Sequence, residues 1–333
     1  MEVGKLKNEV LGEIVLSELK EVRDDILIRP GVGEDCAAIA FGDLACVLTT
    51  DPITGSGSNL GRLAVHVCLN DIASSGAEPV GLMLTLLCPE HTTRAEIQGI
   101  LREANETANA MGIEIVGGHT EITTAVNRTI VSATAIGKTS IKALVKTSGA
   151  KPGDLIYITK QAATEGTAII AHDKESDLSG HLSKEELDFA KSMIDAISVV
   201  PEGKIAARAG ASAMHDATEG GILGAVHELC EASGTGCLID YEKINIQAVT
   251  KKICDFYNIN PLKLISSGSM VICISIDAAL NMERDLKAAN ISFACIGTVT
   301  EGPDKIICFA SETENRCEMI ESPEADELYK VIG

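Results

Sequence analysis

The sequence predicts an α/β protein built of two domains, and three observations carry that prediction. Apolar stretches with strand character alternate with stretches of helical period along the whole chain. The 333 residues exceed the usual size of one hydrophobic core. The alternation breaks once, at "AKPGD" (150–154), before "LIYITK" begins a new strand, so the domains are expected to run over 1–149 and 150–333.

The elements follow in order. The amino-terminal stretch is amphipathic and helical in period. "CVLTTD" then reads as a strand stopping at Asp51, before the glycine-serine segment "PITGSGSNLG". Residues 61–75 read as a helix that Gly76 terminates, with Asn70 and Asp71 near its end. A second helix is predicted from about Thr93 to Met111, where Ile97, Ile100, Leu101, Ala104, Ala108 and Met111 keep the i, i+3, i+4 spacing and Thr92 or Thr93 supplies the cap. "IEIVGGHTEI" reads as a short strand entering a double-glycine loop, and "RTIVSATAIG" as another strand. In the second half, helices are expected over 184–198, 221–232 and 277–289, and strands over 270–276, 293–297 and 305–309.

Composition narrows the function classes. The sequence holds 28 Lys and Arg against 48 Asp and Glu, a net charge of −20, which disfavours nucleic acid and anionic lipid as partners. No apolar run reaches the ~18 residues of a membrane span. Eleven Cys without CxxC pairs or a secretion signal are the usage of a reducing cytosol, so a cytoplasmic protein with free thiols is expected and a zinc or iron–sulfur site is not. Cys317, flanked by Glu314, Arg316 and Glu318, is expected to be an unreactive thiol, because its acidic surroundings disfavour the thiolate.

Five constellations could carry chemistry. In "GVGEDCAAI", Gly31 and Gly33 permit a tight turn before Glu34 and Asp35, either an ordinary solvated turn or part of a site. Asp51 ends an apolar strand, and Asp71 sits in an apolar helix, where a carboxylate needs a cation or a hydrogen-bond donor. Mg²⁺ prefers oxygen ligands and binds through a few carboxylates together with phosphates, so Asp35, Asp51 and Asp71 form a sensible metal set. "IVGGHTEIT" offers the N–H groups of Gly117 and Gly118 to a phosphate, followed by His119, Thr120 and Glu121. His119 is a proton carrier, a phosphate contact or a loop histidine, and Glu121 reaches metal or solvent. In "MHDATEGGILGAVHEL", His215 and Asp216 end a strand and Gly220 and Gly221 open a helix whose amino terminus could receive an anion; Asp216 is there a cap or a catalytic group. His227, in mid-helix, reads as a packing or surface residue. No Walker A, GxGxxG or protein-kinase motif occurs, so any nucleotide needs a different scaffold.

Taken in order, "GVGEDCAAI", "TTD", "NDIASSGAEP", "VGGHTE", "KPGDLIYITK", "EGTAIIA", "HDATEGGI" and "LISSGSM" resemble the AIR synthase-like (PurM-like) superfamily over nearly the entire chain. The resemblance implies ATP-dependent chemistry, with ATP and Mg²⁺ as cofactors and an amino-terminal sheet that completes a barrel across a homodimer. It also implies that Asp35, Asp51 and Asp71 are the Mg–nucleotide carboxylates. Gly33, Asn70, Gly117, Gly118 and Thr120 would lie against the nucleotide, and His119, Glu121 and Asp216 are the candidates for catalysis. "HDATEGG" and "DFYNINPLKLISSGSM" look most like the hydrogenase-maturation carbamoyl dehydratase branch. That branch ends in a cysteine carrying the carboxamide, whereas this sequence ends "ADELYKVIG", which shifts the expectation towards a small-molecule acceptor over a maturation partner protein. The expected activity is activation of a substrate oxygen by phosphorylation. The alternatives are a thiamine-phosphate kinase-like phosphotransferase and a non-catalytic nucleotide-binding regulatory dimer.

Overall fold

In the computed structural model, which describes residues 6–54, 57–310, 316–323 and 325–332, the two halves form two sheets. The first sheet contains Ile26–Ile28 (β1), Ala37–Phe41 (β2), Leu44–Ile53 (β3), Glu78–Cys88 (β4), Glu114–Ile122 (β5) and Ile130–Ser140 (β6), in the order β1-β2-β3-β6-β4-β5. The second contains Leu155–Thr159 (β7), Ala213–Asp216 (β8), Gly236–Asp240 (β9), Met270–Ile274 (β10), Phe293–Thr300 (β11), Lys305–Phe309 (β12) and Arg316–Met319 (β13), in the order β13-β12-β9-β11-β7-β10-β8. Pairing is antiparallel except for β4 with β5 and β9 with β12.

The helices are Asn8–Ile14 (α1), Leu60–Ser74 (α2), Arg94–Ala110 (α3), Thr164–Asp173 (α4), Glu175–Leu178 (α5), Lys184–Ser192 (α6), Val200–Ala209 (α7), Gly221–Ser233 (α8), Ala248–Tyr257 (α9), Ile276–Ala288 (α10) and Tyr329–Ile332 (α11). Helix α3 starts where a capping box fixes it: the Glu96 N–H donates to Thr93 Oγ1 and the Thr93 N–H donates to the Glu96 carboxylate. The helix expected over 184–198 ends at Ser192 and tightens into a 3₁₀ turn over Met193–Ala196. The leading helix is likewise shorter than its amphipathic pattern, covering Asn8–Ile14 before a 3₁₀ turn. Gly55 and Ser56 of the glycine-serine segment, and Glu314, lie outside the described residues.

Alternation along β3, β4 and β6 buries Val47, Leu82, Leu84, Leu86, Val131, Ala133 and Ala135 under α2 and α3. The opposite face leaves Leu48, Leu87, Ile130 and Ile136 half-buried, with Met83 exposed. The edge strand β5 carries Val116 at 59% and Ile122 at 51% exposure. The core is not divided at the predicted boundary: one apolar cluster runs from Leu63, Leu69 and Ile72 of α2 into Ile169 and Ile170 of α4 and on to Ile194 and Ile197.

Two expectations are corrected here. The double glycine is no loop, since Gly117 and Gly118 stand inside β5, paired with Met83 and Leu84. A Cβ on Gly118 would sit 1.9 Å from the Leu84 carbonyl oxygen, so glycine is required by the approach of β4. Cys317 is no free thiol: β13 pairs with β12 so that Cys317 stands opposite Cys308, and a disulfide joins them.

Candidate functional site at the junction of the two sheets

Helix α2 packs across the first sheet and reaches β8, the edge strand of the second. This contact brings acids from both halves together. Asp51 lies within β3, opposite Ala133 of β6, and not at a strand end as its sequence context implied, because the ladder continues to Ile53. Asp71 projects from α2 and is buried, with its Oδ2 accepting a 2.6 Å hydrogen bond from the Thr49 hydroxyl. The segment 31–35 crosses onto α8. Gly33 has φ +77°, and a Cβ there would lie 2.9 Å from the Glu228 carbonyl oxygen, so only glycine lets this turn descend.

That descent delivers Asp35 to β8. The buried His215 donates from Nδ1 to the Asp35 carboxylate, 2.7–2.8 Å away, and from Nε2 to Glu228 Oε2 at 3.2 Å. Burial pushes the imidazole pKa down, but the two carboxylates outweigh it and hold the ring protonated, with a pKa of about 10. Ligand atoms of Asp35, His215 and Asp216 lie within 4.8 Å of one another. Asp216 is fully buried, and neither of its oxygens receives a hydrogen bond from a described N–H or hydroxyl group. Its close neighbour Asp71 is another carboxyl group.

Crowding sets the protonation of this group. Burial, then Asp216, Asp51 and Asp35, push the Asp71 carboxyl well above the usual carboxylate range. Burial and Asp35 raise Asp216 to about 8. A carboxyl raised on folding stabilises the folded state fully below its unfolded pKa, about 3.9 for Asp, and that contribution is lost as pH rises through the folded value near 8. His215, raised to about 10, acts in the same sense: its contribution is present below about 6.5 and lost towards pH 10. The melting temperature of the ligand-free protein is therefore expected to fall between pH 6 and pH 9. Scanning calorimetry that found it rising would contradict this charge arrangement.

A cavity of about 1000 Å³ opens beside these residues, lined by Gly33, Asp35, Asp51 and Asp71 from the first half and by Glu165, Thr218, Glu219, Ser267, Asp326 and Tyr329 from the second. That volume is enough for a nucleotide-sized ligand. Every charged side chain among the described lining residues except Arg128 is acidic. Such a wall admits a polyphosphate only in company with cations. Asp35, Asp51, Asp71 and Asp216, all oxygen donors and one of them without any donor of its own, fit a hard divalent cation such as Mg²⁺.

The remaining residues fall elsewhere. Asn70 is fully buried and wholly engaged: its Nδ2 donates to the Ile197 carbonyl and its Oδ1 accepts from the Val199 N–H, both at 2.8 Å, so it ties α2 to the second half. Gly117, Gly118, His119, Thr120 and Glu121 lie along the exposed edge strand β5 and not on the cavity wall, with His119 Nε2 3.3 Å from Glu121 Oε2. The amino terminus of α8 is already occupied, since the Gly220 N–H donates to Asp326 Oδ2 and the Leu223 N–H to the Leu262 carbonyl. His227 is half-buried on α8, and burial lowers its pKa. Sequence reasoning missed Glu165 and Glu228. The signal for both was an acid within an apolar helical run, the same signal that marked Asp71.

Among the described residues no helix is long and apolar enough to cross a membrane. A Methanocaldococcus jannaschii protein named for hydrogenase expression/formation is 29% identical over 283 residues, covering 81% of this chain and 80% of that protein. The carbamoyl dehydratase HypE of Cupriavidus necator is 26% identical over 255 residues, covering 74% and 70%. Among solved structures, the HypE–HypF complex superposes with a TM-score of 0.74 at 24% identity, covering 88% of this chain and 94% of that one. HypE in complex with ATP gives 0.69 at 19% identity, covering 87% and 88%. AaThiL complexed with AMPPCP and TMP gives 0.74 at 18% identity, covering 92% and 95%. Residues 33–139 match the AIR synthase related protein, N-terminal domain, and residues 151–308 match the C-terminal domain of the same description. With both halves matched in order across a mixed α/β fold of two sheets, the chain belongs to the AIR synthase related protein family.

Proposed function

We propose that this protein is an ATP-using enzyme that activates a substrate oxygen by phosphorylation, with Mg–ATP held at the junction of the two sheets. The observation that carries this reading is the convergence of Asp35, Asp51 and Asp71 on the wall of an acidic cavity, with the buried Asp216 close behind them. Bound Mg²⁺ would neutralise the phosphates and the charge that develops during transfer. The chain's own part is positional. Thr49 orients the Asp71 carboxylate, and the protonated His215, anchored by Glu228, orients Asp35. Further support comes from the relatives, one of them named a carbamoyl dehydratase and one solved with ATP.

Asp51→Asn and Asp71→Asn are expected to weaken Mg–ATP binding in calorimetry far more than they change the unfolding midpoint, and Asp71→Asn to remove ATP hydrolysis. If both variants bind Mg–ATP like the parent, the carboxylate assignment is wrong.

We also propose a homodimer in which the apolar outer face of the first sheet and the β5 edge are covered by a second copy. The half-buried Leu48, Leu87 and Ile136 beside the exposed Val116 support it, because an open strand edge of this character invites pairing. In such an assembly Gly117, Gly118, His119, Thr120 and Glu121 act at the partner's nucleotide, which accounts for their distance from the cavity of their own protomer. Light scattering at micromolar concentration is expected to give twice the chain mass, and a strict monomer with and without Mg–ATP would count against the arrangement. A second reading, an acceptor group carried by a maturation partner protein, is favoured by the relative named for hydrogenase expression/formation and by the HypE–HypF complex.

A further inference from the structure

The cysteines of this chain divide by access. Each of the nine free thiols is buried or half-buried, whereas the disulfide-bonded pair includes the exposed Cys317. The pair stands at the rim of the second sheet, on β12 and the edge strand β13. Register puts it on an open face. Ile306 pairs with Leu238 of β9 and with Met319 of β13, so Leu238, Met319, Cys308 and Cys317 share one side of the sheet, where Leu238 is 46% and Met319 52% exposed. The intervening Ile307 turns to the core. A disulfide on such a face is within reach of a thiol in solution.

Little else holds β13. It has four residues, three of them exposed and none buried, and its ladder runs to β12 alone. Beyond it the chain follows the second half towards the cavity. The Ile320 N–H donates to the Lys305 carbonyl at 2.8 Å, and Pro323 lies so close to Gly220 that a Cβ there would stand 2.9 Å from its own Cβ. Asp326 then accepts from the backbone N–H groups of Gly220, Ile265 and Leu328, Leu328 enters the core, and the Tyr329 hydroxyl donates to Glu219 Oε1 at 2.9 Å. Asp326, Leu328 and Tyr329 all line the cavity. One wall of the cavity is therefore made by a segment that hydrogen bonds and apolar packing anchor at one end and a disulfide closes at the other.

We propose that Cys308 and Cys317 form a thiol–disulfide exchange site, at which an external dithiol opens the bond and loosens the carboxy-terminal wall of the cavity. A thiolate of the dithiol attacks the exposed Cys317 Sγ and forms a mixed disulfide. The Cys308–Cys317 bond breaks with its electron pair leaving on Cys308 Sγ, which takes a proton. The second thiol of the reductant gives up its proton and attacks its partner sulfur in the mixed disulfide, and Cys317 leaves and is protonated. The protein gains two electrons and two protons, and the dithiol loses as many in becoming a disulfide. With the bond open, β13 keeps a short ladder and no buried side chain, which is too little to hold an edge strand firmly. The freedom it gains passes along the segment to Asp326 and Tyr329. This control is independent of which ligand the cavity takes.

The test uses the full-length protein in two states, one treated with oxidised glutathione and one with dithiothreitol, both without denaturant. Differential alkylation with mass spectrometry reads the bond, and hydrogen–deuterium exchange reads the backbone over 316–332, with β10 as the internal control. Cys308 and Cys317 are expected to resist alkylation in the oxidised protein and to label in the reduced one. Exchange over 316–332 is expected to quicken by about tenfold on reduction and to recover on reoxidation, with β10 unchanged. Cys317→Ser is expected to exchange at the reduced rate in both states, which separates loss of the bond from any other effect of the reductant. Labelling of both cysteines after oxidation overturns the proposal, as does a bond that dithiothreitol leaves closed. So does exchange that is equal in the two states or that rises equally in β10, or a Cys317→Ser variant that follows the oxidised parent.

Discussion

Replacing Asp216 by Asn is expected to raise the melting temperature of the ligand-free protein and to remove the further rise that Mg–ATP gives the parent. Asp216 is fully buried and both of its oxygens lack a donor, so the parent carries the desolvation cost of a polar group, about 1–3 kcal/mol in measured cases. The amide keeps the shape, offers N–H groups to the neighbouring Asp71 and ends the repulsion by which Asp216 raises that carboxyl. The same change takes an oxygen ligand from the proposed ion site. A ligand present at 100 times its dissociation constant stabilises by about 2.7 kcal/mol, and a variant that no longer binds loses all of it. Calorimetric scans with and without Mg–ATP separate the two effects. A variant that keeps the full Mg–ATP shift would exclude Asp216 from the ion site.

Asn70→Ala is expected to have an effect of similar size in the opposite direction, on stability and not on affinity. The substitution leaves the Ile197 carbonyl and the Val199 N–H without partners in a region closed to water, where each orphaned group costs about 1–3 kcal/mol. It also cuts a direct tie between α2 and the second half of the chain. Urea titration should show the midpoint falling markedly. At a temperature where the variant remains folded, Mg–ATP affinity should stay close to that of the parent. A selective loss of affinity with unchanged stability would instead put Asn70 in contact with the nucleotide.

How much of this was legible in the sequence varied with the range of the interaction involved. Helix α3 was readable to within a residue because its stripe and its capping box are local. The pairing of Asp51 with Asp71 was approachable by a chemical argument, since an acid in an apolar segment needs a partner. The arrival of Asp35 at His215 was not, because the two lie 180 positions apart and meet only through the docking of the halves. Gly117 and Gly118 were misread because glycine ordinarily signals a turn, while here the Leu84 carbonyl demands it within a strand. The Cys308–Cys317 pairing depends on the register of the short strand β13, for which the local sequence gives little alternation. Glu165 was overlooked within "EGTAIIA", although the reasoning applied to Asp71 would have selected it.

The aspartate group has a consequence for synthesis. Asp35, Asp51 and Asp71 leave the ribosome well before His215 and Asp216, and the strand that carries the later pair is the outermost of a sheet whose other strands extend to Met319. A nascent chain that has completed only its first sheet therefore carries Asp51 and Asp71 without the imidazolium and carboxyl of the later pair, and without the strand to which Asp35 is held. Domains emerge and fold in order during translation, so on the proposed reading the amino-terminal half by itself lacks a complete Mg–ATP site. The proposed ion site is then complete only when β8 is seated against α2.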